Sequence, residues 1–221
     1  MSNIKLLNID CMEYMATVPD KYFELAIVDP PYGIDAANVL TGPQRKSGKG
    51  CALKTAFDKK DWDKEVPDEH YFLELFRVSK DQIIWGANYM SNFLPPSMGW
   101  IVWDKDNGTT NFSDCELAFT SFERALRKYT YTWNGMLQGD MKNKEFRIHP
   151  TQKPRKLYDW LLTNYAKPEF KILDTHLGSA SSAIAAHYFG VSEFVGTELD
   201  ADYFRAAKER FERETAQIAM F

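Results

Sequence analysis

Along most of this chain, short apolar runs alternate with segments whose apolar residues recur at helical spacing, and the runs stop at prolines or at clusters of turn residues. Ile4–Ile9, Glu24–Val28, Gln82–Trp85, Lys171–Asp174 and Glu193–Thr197 read as strands. The stretch from Cys11, then Pro67–Ser79, Pro154 to about Ala166, the stretch from Ser179, and a final segment read as helices. Such alternation predicts an α/β fold, a mostly parallel sheet with helices on both faces. Trp100–Trp103, Cys115–Thr120 and Tyr129–Trp133 follow one another without helical spacing between them, which suggests an added antiparallel portion. At 221 residues the expectation is one domain spanning 1–221. Apolar residues at 44% exclude a disordered chain, and no apolar run approaches the roughly 18 residues of a membrane span. The first twenty residues carry Asp10, Glu13 and Asp20 and show no secretory pattern, so a cytoplasmic location is expected. Three widely spaced cysteines suggest neither disulfides nor zinc, and no metal site is expected.

The net charge of −4 hides a segregation. Residues 41–60 sum to +5 and residues 124–156 to +7, so the remainder carries −16. A chain with one basic side and an acidic back suits a polyanionic partner, although solvated loops would give the same sums.

Three motifs bear on chemistry. The strand ending at Val28 stops on Asp29-Pro30-Pro31-Tyr32, which places this tetrad at the carboxyl edge of the sheet, where open α/β sheets bind ligands. Pro31 holds Pro30 extended, so the Pro30 carbonyl and the Asp29 carboxylate become two neighbouring acceptors. Two acceptors can hold both hydrogens of an exocyclic amine, and the Tyr32 ring offers a face for stacking a base. The alternative is a strand stopped by a Pro-Pro turn with a surface tyrosine. The second motif runs from Ile172-Leu173-Asp174 through Thr175-His176-Leu177-Gly178-Ser179-Ala180-Ser181 into a helix, with Glu198 twenty residues after Gly178. That is the spacing at which a nucleoside-binding unit sets an acid against ribose hydroxyls. The dinucleotide pattern G-x-G-x-x-G fails, because Ala180 and Ala183 take the later glycine places, so a nucleoside with a carboxylate end fits better than a diphosphate. The third, His149-Pro150-Thr151-Gln152-Lys153-Pro154, supplies a hydroxyl, an amide and a cation just before a helix start.

In this order the three motifs resemble the β-class amino-group DNA methyltransferases, which modify adenine N6 or cytosine N4, in a small form like those of phages and prophages. The resemblance covers nearly the whole chain and implies a Rossmann-like S-adenosylmethionine-dependent methyltransferase fold with permuted motif order, the cofactor loop following the catalytic motif. It implies Asp29, Pro30, Pro31 and Tyr32 as the catalytic set. It further implies contacts to S-adenosylmethionine from Asp10, Cys11, Asp29, Thr151, Gln152, Lys153, Asp174, His176, Gly178, Ser179, Ala180, Ser181 and Glu198. Among these, Asp10 would meet the adenine, Glu198 the ribose, and Thr151 and Lys153 the carboxylate. The family usually shows an F-x-G-x-G loop where this chain reads His176-Leu177-Gly178-Ser179-Ala180.

By that resemblance, the reaction is direct displacement at the methyl group by the amine of a flipped base, with adenine favoured because the motif begins with Asp. Residues 35–61 and 134–147 are the candidate DNA-contacting loops, with Arg45, Lys46, Lys49, Lys142, Lys144 and Arg147 as the candidate contacts. A homodimer and a restriction or phage-encoded partner are further expectations. Cytosine-N4 transfer, a silent DNA-binding protein on the same fold, and a methyltransferase acting on RNA or protein glutamine are the alternatives. Trp85-Gly86-Ala87-Asn88-Tyr89 reads as an ordinary strand end with a packed Trp in preference to a wall of the base pocket, and His70 and His187 as packing or surface residues.

Overall fold

The computed structural model describes residues 2–36, 60, 62–108, 113–134 and 137–216. Among them, eight strands form one sheet in the order β1-β10-β9-β2-β3-β5-β4-β6. They are β1 (Asn3–Leu7), β2 (Phe23–Val28), β3 (Ser79–Trp85), β4 (Ile101–Asp104), β5 (Cys115–Thr120), β6 (Arg127–Thr130), β9 (Lys171–Asp174) and β10 (Glu193–Thr197). A separate two-stranded ribbon pairs β7 (Trp133–Asn134) with β8 (Leu137–Gln138). Among the described residues, the α-helices are α1 (Cys11–Ala16), α2 (Glu69–Val78), α3 (Arg155–Tyr165), α4 (Ser181–Phe189) and α5 (Ala201–Thr215).

Neighbours from β1 to β3 run parallel, and β5 is antiparallel to both β3 and β4. The expected antiparallel portion is therefore an extension of the same sheet, and its last strand, β6, returns parallel to β4. The run Tyr129–Trp133 does not form one strand, since pairing with β4 ends at Thr130 and Trp133 starts the ribbon.

Period-two burial divides the central strands between two cores. Leu25, Ile27, Ile83 and Trp85 face a core shared with Leu157 and Leu161 of α3, Ala183 of α4 and Ala207 of α5. Ala26, Val28 and Ile84 face the opposite core, with Met15 of α1 and Tyr71, Phe72 and Leu75 of α2. Asp10, Asp68 and Asp200 cap α1, α2 and α5 through their side chains. Asp68, rather than Pro67, thus opens α2, and α4 starts at Ser181 instead of Ser179 because the residues before it stay in a turn.

The register places two motif ends side by side. Leu25 pairs with Ile172 and Ala26 with Leu173, so β2 and β9 leave the sheet at the same edge although 146 residues separate their paired positions. Permuted motif order in the chain therefore does not separate the motifs in space.

Candidate active site

A cavity of about 340 Å³ opens at that edge, within the usual range of small-molecule sites. Its wall includes Asp29 and Pro31 from the end of β2, Asp10 and Cys11 from the start of α1, and the loop after β9. Thr151, Gln152 and Lys153 line it from one side, Glu198 and Asp200 from the end of β10.

The loop after β9 is held by contacts close in sequence. Asp174 accepts from the His176 N–H at 3.0 Å and from the Ser182 hydroxyl at 2.5 Å. Burial pushes its carboxyl up to about 7, against the pull of Ser182 and the His176 amide. His176 is half-buried, and desolvation lowers its pKa to about 4, so the ring is neutral at pH 7; its Nδ1 lies 2.9 Å from the Thr175 hydroxyl, which reaches the Tyr71 hydroxyl at 2.7 Å. The ring thus packs edge-on to Tyr71. Ala180 sits left-handed, at φ +61. Glu198 closes the unit by accepting from the Gly178 N–H at 3.0 Å and the Asp200 N–H at 3.0 Å. A carboxylate has about four acceptor positions, so capacity for further donors remains.

The Asp29 end is built from residues far apart in sequence. Asp63 accepts from the backbone N–H groups of Tyr32, Gly33 and Ala36, fixing the turn that follows the tetrad. The Tyr32 hydroxyl donates to Asp29 Oδ1 at 2.6 Å, and its ring stacks on Tyr89 with centroids 5.2 Å apart. At Gly86, which has φ +67, a Cβ would lie 2.0 Å from Cε1 of the Tyr32 ring, so only glycine fits there. Asp29 Oδ2 accepts from the Lys153 ammonium at 2.6 Å. The same ammonium lies 3.0 Å from Glu116 Oε2 on β5, and Lys105 lies 2.6 Å from Glu116 Oε1. Burial pushes the Asp29 carboxyl up, and Lys153 pulls it back. Burial opposes the charged form of Glu116 as well, yet Lys153 and Lys105 outweigh it and hold that carboxyl at about 2. Burial likewise opposes the charged form of Lys153, and Asp29 and Glu116 reverse it, keeping the ammonium charged.

A third side of the cavity is aromatic. The His149 ring lies 4.3 Å from that of Tyr203 and 5.2 Å from that of Trp62. Burial lowers the His149 pKa to about 3, leaving a neutral ring.

Residues 119–209 match the DNA methylase family N6_N4_Mtase. Over that stretch the chain is similar to the amino-group DNA methyltransferases of the N6/N4 type. Its sequence is 24% identical over 251 residues to the type II methyltransferase M2.DpnII of Streptococcus pneumoniae, covering 95% of this chain and 90% of that protein. It is 22% identical to the type II methyltransferase M1.MboII of Moraxella bovis, covering 92% and 94%. The fold matches the M1.HpyAVI–SAM complex with a TM-score of 0.55 at 18% identity, covering 94% of this chain and 99% of that one. It matches the cytosine-N4-specific PvuII DNA methyltransferase with a TM-score of 0.59 at 13% identity, covering 98% and 91%.

Most of the residues expected at the donor site share the cavity wall: Asp10, Cys11, Asp29, Thr151, Gln152, Lys153, His176, Gly178, Ser179, Ser181 and Glu198. Two do not. Asp174 and Ala180 lie beneath the loop, where the first ties the turn together and the second starts α4. Of the tetrad expected to be catalytic, Asp29 and Pro31 line the cavity while Pro30 and Tyr32 lie outside its wall, Tyr32 against Gly86 and Tyr89. The segment read as ordinary packing thus supports the motif, although Trp85 itself is packed as expected. Lys153, assigned to a donor carboxylate, has its ammonium on Asp29 and Glu116, because a buried cation settles on the nearest carboxylates. The Gln152 side chain is spent on backbone, accepting from Ile148 N–H and donating to the Phe146 carbonyl.

Among the expected DNA contacts, Lys142 and Lys144 are exposed. Arg147 is not: its guanidinium lies over the Trp133 ring at 5.1 Å, and burial lowers its pKa. Arg45, Lys46 and Lys49, with most of 35–61, lie outside the described residues.

Three structural positions escaped the sequence reading: Asp63, Glu116 and Arg210. Arg210 is 1% exposed and donates to the Ser179 carbonyl, the Ser181 hydroxyl and Glu145, joining the cofactor loop to the segment 134–147. A signal was present, since Tyr203, Ala207 and Arg210 fall on one face of α5 and Glu116 interrupts an apolar strand.

Proposed function

We propose that this chain is an S-adenosylmethionine-dependent DNA methyltransferase acting on the N6 amine of an adenine swung out of duplex DNA, with Asp29 and the Pro30 carbonyl as the amine acceptors. The observation that carries this reading is that Asp29 opens on the same cavity as Asp10, Glu198 and the Gly178–Ser181 turn. The donor set fits the nucleoside end: Asp10 and Glu198 are acceptors for amine and ribose hydroxyl hydrogens, while Thr151, Ser179 and Ser181 offer hydroxyls to a carboxylate. S-adenosylmethionine, when bound there, supplies an electrophilic methyl group on a sulfonium.

The residues of the chain then do the orienting. An amine on an aromatic ring is a poor nucleophile because its lone pair is shared with the ring. Holding both its hydrogens on Asp29 and Pro30 directs that pair along the line of displacement. With that donor bound, attack by the amine would form the N–C bond as the methyl–sulfur bond broke and its electron pair stayed on sulfur, and the methylated nitrogen would give up a proton to solvent. Asp29 acts through its negative charge beside a nitrogen turning positive, in a pocket where water screens little. Placement of the reactants contributes up to roughly 7–11 kcal/mol in favourable cases. Flipping the base costs a few kcal/mol.

Adenine is chosen over cytosine on the Asp-led form of the motif, and Lys142 and Lys144 are assigned to phosphates. By likeness to type II methyltransferases, the chain acts within restriction–modification. The test is incubation with S-adenosylmethionine and mixed unmethylated DNA, then nucleoside mass spectrometry, with Asp29→Ala beside the parent. N6-methyladenosine that is lost in the variant is the expected result. N4-methylcytosine in its place overturns the base assignment, and methylation retained by the variant overturns the role of Asp29.

A further inference from the structure

The Asp29 cluster contains one charged group that the reaction does not call for. An ammonium beside a nitrogen that turns positive opposes the transfer, and Lys153 Nζ lies 2.6 Å from Oδ2 of the Asp29 carboxylate. Its third neighbour shows how this is tolerated. Glu116 Oε2 lies 3.0 Å from Nζ, on the far strand β5, and the Tyr32 hydroxyl oxygen accepts from Nζ at 3.0 Å. Lys153 therefore has three acceptors for its three hydrogens and can give up one without losing its charge balance.

We infer that Glu116 is a positioning residue that takes Lys153 from Asp29 when the target amine arrives, keeping the ammonium neutralised and away from the reacting nitrogen. This rests on the reading of Asp29 as the amine acceptor. Two observations carry it beyond a packing contact. Lys153 is 4% exposed, so solvent cannot replace a lost carboxylate partner. Charges across the cluster also balance in pairs, Lys153 and Lys105 against Asp29 and Glu116. Loss of Glu116 alone leaves one surplus cation at the reaction centre, and loss of Lys153 alone leaves one surplus anion. Loss of both restores neutrality, with Lys105 against Asp29. The other titratable groups facing the cluster include Tyr32, Tyr71 of α2, Tyr158 of α3, Asp174 at the end of β9, Arg147, and His149, which feels the Lys153 charge, and none of them is changed by these substitutions.

The experiment compares methylation kinetics of the full chain carrying Glu116→Gln, Lys153→Met, both together, and Asp29→Ala, each over a range of pH. Glu116→Gln is expected to lower kcat at least about tenfold with little change in KM for S-adenosylmethionine. The double variant is expected to be faster than Glu116→Gln, because the stranded cation is gone. The acid limb of the kcat profile moves down in pH in Glu116→Gln, where Lys153 is left to Asp29 alone, and up in Lys153→Met. A residue that merely supported the fold would move neither limb. Glu116→Asp, which keeps the charge, is expected to preserve the parent profile and guards against misfolding of the Gln variant. A double variant no faster than Glu116→Gln, or limbs that stay in place, overturns the inference. Asp29→Ala separates the two failures: an active Asp29→Ala removes the amine-acceptor reading and this inference with it, whereas an inactive one beside unmoved limbs removes the inference alone.

Discussion

The two ends of the cavity are made by opposite strategies. At the loop after β9, Asp174 is bonded to residues two and eight positions away, and the turn is closed by Glu198 through backbone amides. At the Asp29 end, the carboxylate meets an ammonium 124 residues away, which in turn meets Glu116 on another strand. One end is a local turn tied mainly through backbone amides and hydroxyls; the other is a set of buried ion pairs that only the whole sheet can assemble. A local turn can be shaped before the sheet closes, while a buried ion pair costs more to break than it contributes when intact.

The largest expected consequence of that difference is at Asp29. Asp29→Ala should lower kcat roughly 10²- to 10³-fold, the cost of removing one preorganised charge from a transition state. S-adenosylmethionine affinity by calorimetry should change little, since Asp10, Glu198 and the loop remain. A matching loss of affinity would show that the two ends are one unit.

The next effect isolates the local end and appears as pH dependence of stability. Asp174 titrates at about 7 in the folded chain against about 3.9 when unfolded. Its folded pKa is raised, so the folded state holds the extra proton between those values. The stabilisation is complete below about pH 4 and is lost as the pH rises through about 7. Each pH unit is worth about 1.4 kcal/mol, so the full difference is about 4 kcal/mol. His149 and His176 run the opposite way, their pKa values lowered to about 3 and 4, so the parent chain alone would not reveal it. Denaturant unfolding of Asp174→Asn beside the parent at pH 5 and pH 8 is the measurement. The stability difference between the two proteins should shift in favour of the variant at pH 8, and a difference independent of pH would remove Asp174 as a titrating group.

The contrast between the ends also explains what the sequence made legible. β9, β10 and the turn between Asp174 and Ser181 were readable because their partners lie within one βαβ unit, where spacing in the chain is spacing in space. The pairing of Lys153 with Asp29 and Glu116 was not, because nothing in His149–Pro154 or Cys115–Thr120 states which strands become neighbours. The role of Gly86 was hidden for the same reason: its glycine is required by the Tyr32 ring, which arrives from another strand end. Arg147 was misread because a cation in a basic segment looks solvated until Trp133 is known to lie under it.

A smaller effect tests whether the local end works on the donor alone. Glu198→Gln keeps the shape of the side chain and removes its charge, so hydroxyl hydrogens lose a charge-assisted bond worth about 1.5–3 kcal/mol. S-adenosylmethionine affinity should fall roughly 10- to 100-fold by calorimetry, while kcat at saturating donor should hold within a few-fold. A fall in kcat at saturation would mean that Glu198 also sets the position of the methyl group.

The smallest effect concerns Ala180, where the related family carries glycine and this chain adopts φ +61 with a Cβ. A left-handed residue with a side chain is strained by about 1–2 kcal/mol. Glycine would remove the strain, but it would also give up a fully buried methyl worth about 0.8 kcal/mol and add about 0.5–1 kcal/mol of unfolded-state entropy. These contributions nearly cancel, so Ala180→Gly should leave the thermal midpoint within a few degrees of the parent. Donor affinity should also be nearly unchanged, because Ala180 lies beneath the loop and its side chain does not line the cavity. A large gain in affinity would show instead that the missing glycine limits how closely the backbone approaches the donor, and that the local end is shaped by that approach as well as by its own hydrogen bonds.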